Sequence, residues 1–298
     1  MTKKVRIVEV GLRDGLQNEK EAFSLKQKLE LFQRLVKSGL NNIEVGAFVS
    51  PKWVPQMADT DKLLKKIRPQ VFKTKNLSVL VPNETGMRKA LSFPVKEVAI
   101  FAACSETFSK KNINATIEES FYRFEQVALI AKKHKIKVRG YLSTCFACPY
   151  EGKVEISKVV KLSQKLLDMG AYEVSIGDTI GVANPLHTEK LIKALLKKIS
   201  PKKIAMHFHD TKGMALANIS KSLDLGVRSF DASIGGLGGC PYAKGASGNV
   251  ATEDVVYMLS EMGYSCGVDL NELIKSSKWL QSQLTKTLPS KLSKIALD

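Results

Sequence analysis

Short apolar runs alternate with longer amphipathic ones along almost the whole chain. The strand-like runs fall at residues 5–10, 42–47, 77–81, 97–101, 137–143, 172–176, 204–208 and 229–234. Between them, residues 24–38, 57–68, 85–92, 117–134, 156–169, 185–199 and 214–224 carry the apolar spacing of helices, and 251–262 follows the last strand. The punctuation agrees: Ser24 and Thr252 stand as N-caps or first-turn residues, and Gly39, Gly170, Gly226 and Gly263 stand as C-terminal stops. Eight strands, each followed by a helix, predict an α/β protein closed into a parallel (β/α)8 TIM barrel. An open doubly wound sheet would be expected to show G-x-G-x-x-G after its first strand, and G-L-R-D-G-L-Q lacks that spacing. The barrel is expected over about residues 5–268, with 269–298 as a C-terminal helical extension ending in a lysine-rich, frayed stretch. All of 1–298 is read as a single catalytic domain.

Composition changes this picture little. The chain has 298 residues, 44% hydrophobic and 25% charged, which suits a globular fold with a large core. No apolar run reaches about 18 residues, so no membrane span is expected. The N-terminus runs directly into a strand, and the expected compartment is cytoplasmic. A formal charge of +17 raises the question of nucleic acid. However, the lysines are dispersed over helical stretches such as 62–68 and 190–203, without a basic tail, zinc finger or aromatic RNA-binding signature. They read as solvated faces with some attraction for anionic substrates, and no nucleic-acid partner is expected. Cys145 and Cys148 form one C-x-x-C without a second pair, and five cysteines in all read as reduced thiols.

The chemistry concentrates in I-A-M-H-F-H-D, residues 204–210. Strand side chains alternate faces, so His207 and His209 point the same way, as half of a metal site. A barrel gathers its chemistry at the C-terminal ends of its strands. Those ends supply Arg13, Asp14 and Gln17 after the first strand, Glu44 on the second, Asp178 and Thr179 on the sixth, and Cys240, Lys244 and Asn249 in a loop with six glycines after the eighth. Asp14, an anionic oxygen, is the best third ligand, and Asn249, a neutral one, the best fourth. Two imidazoles with two oxygens suit Mg²⁺ or Mn²⁺, with zinc as an alternative.

G-L-R-D-G-L-Q-N-E-K, F-V-S-P-K-W-V-P-Q-M, K-K-N-I-N, C-P-Y-E-G-K, G-D-T-I-G and G-L-G-G-C-P-Y-A-K-G-A-S-G-N-V-A-T-E-D closely resemble the 3-hydroxy-3-methylglutaryl-CoA lyase family, in order, from about residue 5 to 268. R-D-G-x-Q and H-x-H-D alone mark only a wider superfamily, which includes isopropylmalate and homocitrate synthases and biotin-enzyme carboxyltransferase domains. The resemblance implies cleavage of 3-hydroxy-3-methylglutaryl-CoA to acetyl-CoA and acetoacetate, in leucine breakdown and ketone-body formation. It implies a divalent cation on Asp14, His207, His209 and Asn249, enolate stabilisation by Arg13, an active-site carboxylate at Glu44, and Cys240 on a catalytic loop. For the proton acceptor, Asp14, His207 and Glu44 all qualify. Gln17 and Thr179 join Arg13 as substrate contacts, and Lys110, Lys111 and Asn112 lie on the barrel face suited to CoA phosphates. Ala47 departs from relatives with a small hydroxyl residue there, so a hydrogen bond to the substrate carboxylate is missing or comes from Thr179 or water. A homodimer is expected. No cysteine lies near the C-terminus, so inter-subunit thiol regulation is not.

Overall fold

The computed structural model describes residues 3–19, 21–238 and 248–295. Eight parallel strands close into a barrel: β1 (Arg6–Glu9), β2 (Asn42–Ala47), β3 (Asn76–Leu80), β4 (Glu97–Ala103), β5 (Lys137–Ser143), β6 (Ala171–Asp178), β7 (Ile204–Phe208) and β8 (Ser229–Ala232). Neighbours in sequence are neighbours in space, and β8 closes on β1 with Asp231 opposite Val8. The expected (β/α)8 architecture is therefore present. Its strands are aliphatic because alternate side chains pack outward against the helices.

Helices α1 (Leu25–Lys37), α2 (Thr60–Lys66), α3 (Pro69–Thr74), α4 (Glu84–Ala90), α5 (Glu106–Ile113), α6 (Ile117–Lys133), α7 (Ile156–Asp168), α8 (Pro185–Leu196), α9 (Ala215–Asp224), α10 (Thr252–Glu261) and α11 (Leu270–Ser282) surround it. Ser24 caps α1 in a reciprocal capping box with Gln27, as expected. Thr252 is the first residue of α10, behind Ala251, and so takes the first-turn place expected of it. The expected helix 57–68 is broken into a short 3₁₀ turn and α2, and α3 begins separately at Pro69, whose missing N–H suits a first helical turn. Helix α5 was not expected. It presents few apolar residues, and its signals are the Ser105 cap and a left-handed stop at Asn114, φ 48°.

The C-terminal segment corrects its expectation. Beyond α11 it does not fray through Ile295: Leu284 and Leu288 are buried, and Asp254 accepts from the backbone N–H groups of Lys291 and Leu292. Leu288 packs on Gly235, where an added Cβ would stand 2.6 Å from its Cδ1. The segment thus braces the base of the glycine-rich loop.

Candidate active site

Inside the barrel, the inward positions of several strands are charged rather than aliphatic. Arg139 on β5 pairs with Asp231 on β8 and Glu173 on β6, both at 2.8 Å. Asp231 Oδ2 accepts from the Ser175 hydroxyl at 2.6 Å and lies 3.3 Å from His207 Nδ1. Tyr141 lies between Arg13 and Arg139, whose guanidinium carbons are 5.1 and 4.9 Å from its ring centre. Its hydroxyl donates to Glu44 Oε2 at 3.0 Å. Sequence reading missed Tyr141, Asp231, Arg139 and Glu173. Their signal was polar residues recurring at period two in otherwise apolar strands.

After β1 the backbone makes one π-helical turn, Gly11–Gly15, which delivers Arg13 and Asp14 to the strand ends. The Arg13 Nε–H donates to Glu44 Oε2 at 2.8 Å, and its Nη1 pairs with Asp14 Oδ1. Burial disfavours the charge on Arg13, but the Glu44 and Asp14 carboxylates outweigh it and hold the guanidinium protonated. Burial also pushes the Asp14 carboxyl upward, and here Arg13 and the two histidines win, holding it at about 2. Glu44 goes the other way: its complete burial exceeds the pull of Arg13 and raises it.

Asp14, His207 and His209 bring ligand atoms within 4.8 Å of one another. Asp231 occupies Nδ1 of His207, which leaves Nε2 facing Asp14 Oδ2 at 4.0 Å. A carboxylate behind a histidine is the usual support of a metal ligand. Burial lowers His207, yet the hydrogen bond to Asp231 and the Asp14 charge raise it overall. Burial and the adjacent His207 press His209 down to about 4, so it stays neutral and able to bind a cation. Its Nδ1 is buried with no hydrogen-bond partner among the described residues.

Asn249 arrives from the far side of the loop. It stands directly opposite His209 in an antiparallel bridge, which puts the two side chains on one face. Its Nδ2 donates to Asp14 Oδ2 at 2.8 Å. Turning that amide about its own bond would present Oδ1 instead. Carboxylate, two imidazoles and amide thus fit a divalent cation.

A cavity of about 420 Å³ opens here, lined by Arg13, Asp14, Gln17, Thr179, His207 and His209 among others. Lys111 and Asn112 line its outer part, with Arg123 and the exposed Trp53; Lys110, on the same helix, does not. Glu44 does not line the cavity either. It lies behind Arg13, from whose Nε–H it accepts at 2.8 Å. Thr179 faces the cavity while its Oγ1 accepts from the Thr144 N–H at 2.8 Å. Ala47 is buried away from the cavity, its N–H donating to Thr60 at 3.2 Å. Asp210 accepts from the Ala215 N–H and tethers the start of α9, and burial raises Asp178 to about 6 while it binds the N–H groups of Ala183 and Val182. Cys240 and Lys244 lie outside the described residues.

The closed parallel barrel and a site of this composition at its strand ends define a class: barrel enzymes built around a candidate divalent-cation site. The chain belongs to the HMGL-like family, whose model matches residues 4–280. It is 51% identical to a mitochondrial hydroxymethylglutaryl-CoA lyase of Arabidopsis thaliana, over 99% of this chain but only 62% of that protein's length. It is 47% identical to a cytoplasmic 3-hydroxy-3-methylglutaryl-CoA lyase of Mus musculus, covering 99% of this chain and 85% of that one. A solved HMG-CoA lyase of Acinetobacter baumannii, in complex with coenzyme A and 3-methylmalate, superposes with a TM-score of 0.92 at 35% identity, over 98% of this chain and 94% of that one.

Proposed function

We propose that this chain is a 3-hydroxy-3-methylglutaryl-CoA lyase, releasing acetyl-CoA and acetoacetate from a single catalytic domain. The observation that carries it is the convergence of Arg13 and Asp14 on His207, His209 and Asn249 in one cavity, in a chain alike over its length to proteins of that name.

In such a cleavage the tertiary hydroxyl loses its proton and the adjacent carbon–carbon bond breaks. The electron pair passes to the thioester as an enolate, which then takes a proton on carbon. A divalent cation, Mg²⁺ or Mn²⁺, held by Asp14, His207, His209 and Asn249 would acidify the hydroxyl and chelate it with the free carboxylate. Arg13 is the group suited to the enolate oxygen: it is permanently charged, faces the cavity, and is fixed by Glu44 and Tyr141 before substrate arrives. Asp14, His207 and Glu44 are the candidates for the hydroxyl proton, with Glu44 reaching the site through its bond to Arg13. Cys240 is our candidate for delivering the proton to carbon. Gln17 and Thr179 face the acyl portion, and Lys111 and Asn112, with Arg123, suit the phosphates of CoA, the ligand named for the Acinetobacter structure.

The reading extends to a cytoplasmic homodimer serving leucine breakdown and ketone-body formation. The mouse relative is named cytoplasmic and the Arabidopsis one mitochondrial, so cell fractionation decides the compartment, and light scattering decides the dimer. No helix among the described residues is long and apolar enough to cross a membrane. The primary test is a coupled assay of acetoacetate release with Mg²⁺ and with EDTA. Metal-dependent turnover is expected; folded, metal-supplemented protein with no turnover overturns the assignment.

A further inference from the structure

Glu9 ends β1 and is fully buried, facing α10 rather than the cavity. Its Oε1 accepts from the N–H groups of Gly11, at 2.8 Å, and Ile234, at 2.9 Å. Its Oε2 accepts from the Thr252 hydroxyl at 2.6 Å. The three donors belong to three separate segments. Gly11 opens the turn that carries Arg13 and Asp14, Ile234 opens the turn at the base of the glycine-rich loop, and Thr252 begins α10 just beyond Asn249. Beside it, buried Glu253 accepts from the Gly235 N–H at 3.0 Å, tying the same loop base to α10.

The packing agrees with a junction held at close quarters. A Cβ on Gly11 would stand 2.7 Å from Glu9 Oε1 and 2.9 Å from Ile234, and one on Gly15 2.7 Å from Ser233 Oγ. Both glycines are therefore what lets the two turns meet. On the cavity side, the Asn249–Asp14 hydrogen bond spans the same junction.

We propose that Glu9 is a positioning residue, which registers Asp14 against Asn249 by clamping the Arg13–Asp14 turn, the loop base and the start of α10 to one carboxyl group. This rests on the reading of Asp14 and Asn249 as ligands of one cation. The clamp needs an acceptor for two amides and a partner for one hydroxyl. Glutamine can supply both, since its Nε2 donates to Thr252 Oγ1, which accepts as readily as it donates. Alanine leaves two buried N–H groups unpaired.

The test compares wild type, Glu9→Gln, Glu9→Ala and Thr252→Val. Mn²⁺ affinity is read by electron paramagnetic resonance, and amide exchange on metal-free protein in the peptides spanning Gly11 and Ile234. Steady-state kinetics give kcat and KM. Supporting residues behind a metal ligand typically contribute about 10- to 100-fold in affinity. Glu9→Ala is expected to lose that much, with a fall in kcat and faster exchange confined to the two peptides. Glu9→Gln is expected to stay near wild type. If Glu9→Ala does not fold, Thr252→Val carries the test, with a smaller loss of affinity expected in the same direction. Unchanged affinity in Glu9→Ala and Thr252→Val overturns the proposal, as does a loss in Glu9→Gln equal to that in Glu9→Ala. Exchange accelerated throughout the chain, with unchanged affinity per folded molecule, would mark a merely structural role and also overturn it. Wild type that binds Mn²⁺ but releases no acetoacetate counts against the lyase reading alone; affinity and exchange still decide the clamp.

Discussion

Replacing Arg13 by Gln removes three contacts together: the bond to Glu44 at 2.8 Å, the pair with Asp14, and the cation stacked 5.1 Å from the Tyr141 ring centre. Two costs follow, and they are separable. On the reaction, losing a fixed donor at a developing oxyanion costs about 3–4 kcal/mol, or 10²–10³ in kcat. On the fold, removing one partner of a buried ion pair costs about 3–5 kcal/mol. Glu44, already raised by burial, can limit that second cost by taking up a proton. The double variant Arg13→Gln/Glu44→Gln therefore separates them. It has no stranded buried carboxylate, so its melting temperature should recover most of what the single variant loses, while kcat stays about 10²-fold or more below wild type. Acetoacetate release at saturating substrate and Mg²⁺, with thermal melts of the same samples, reads both. If the double variant regains both stability and kcat, Arg13 serves only the fold, and its assignment to the enolate oxygen is wrong.

Asp231→Asn should weaken Mn²⁺ binding by about 10- to 100-fold, because the carboxylate that fixes the His207 ring is replaced by an amide; calorimetry giving wild-type affinity would show that the ring is oriented by something else. Mn²⁺ at about 100 times its Kd should stabilise the fold by about 2.7 kcal/mol, an increment that EDTA reverses and His207→Ala abolishes in thermal melts. An increment that survives in His207→Ala would place the cation elsewhere. The pH dependence of stability carries opposing contributions. Glu9, raised by burial from 4.5 to about 7, contributes stability fully present below about 4.5 and lost as pH rises through about 7, amounting to about 3 kcal/mol. His209, lowered from 6.5 to about 4 by burial and His207, contributes stability present above about 6.5 and lost as pH falls toward 4. In denaturant titrations of metal-free protein, the wild type minus Glu9→Gln difference should therefore fall between about pH 4.5 and 7 and level off above, and a flat difference refutes it.

The eight strands were legible because each is a short aliphatic run closed by glycine or polar punctuation. The histidine pair was legible because alternation in a strand is a rigid rule. Asn249 could be named only by chemical type; what puts it in the site is its bridge to His209, a contact between residues 40 apart that no local pattern encodes. Helix α5 was not legible, its buried stripe being little more than Phe108 and Ser109. The orientation of Glu44 was hidden for a related reason. Strand alternation gives its face, but its depth depends on Arg13 reaching across from a π-helical turn that the G-L-R-D-G run does not announce.

The polar residues inside the barrel were visible as letters, yet nothing local said that they meet. Arg139, Asp231, Glu173, Tyr141 and Glu44 sit on four strands and form a continuous chain of contacts from the barrel interior to Arg13 and His207. Buried ion pairs of this kind are often no more stabilising than well-packed aliphatic side chains of similar volume. Stability alone would therefore fill the interior with branched aliphatics, the usual barrel core. The chain ends on the two groups that must be held still, the guanidinium through Glu44 and the imidazole through Asp231. Burial raises Glu44, whereas Arg139 and His207 outweigh burial and hold Asp231 well below the ordinary carboxylate range. The charged form of Asp231 is thus the favoured one, and it faces His207 Nδ1 at 3.3 Å. The interior reads as the support of the site, with packing density given up for fixed orientation at the strand ends.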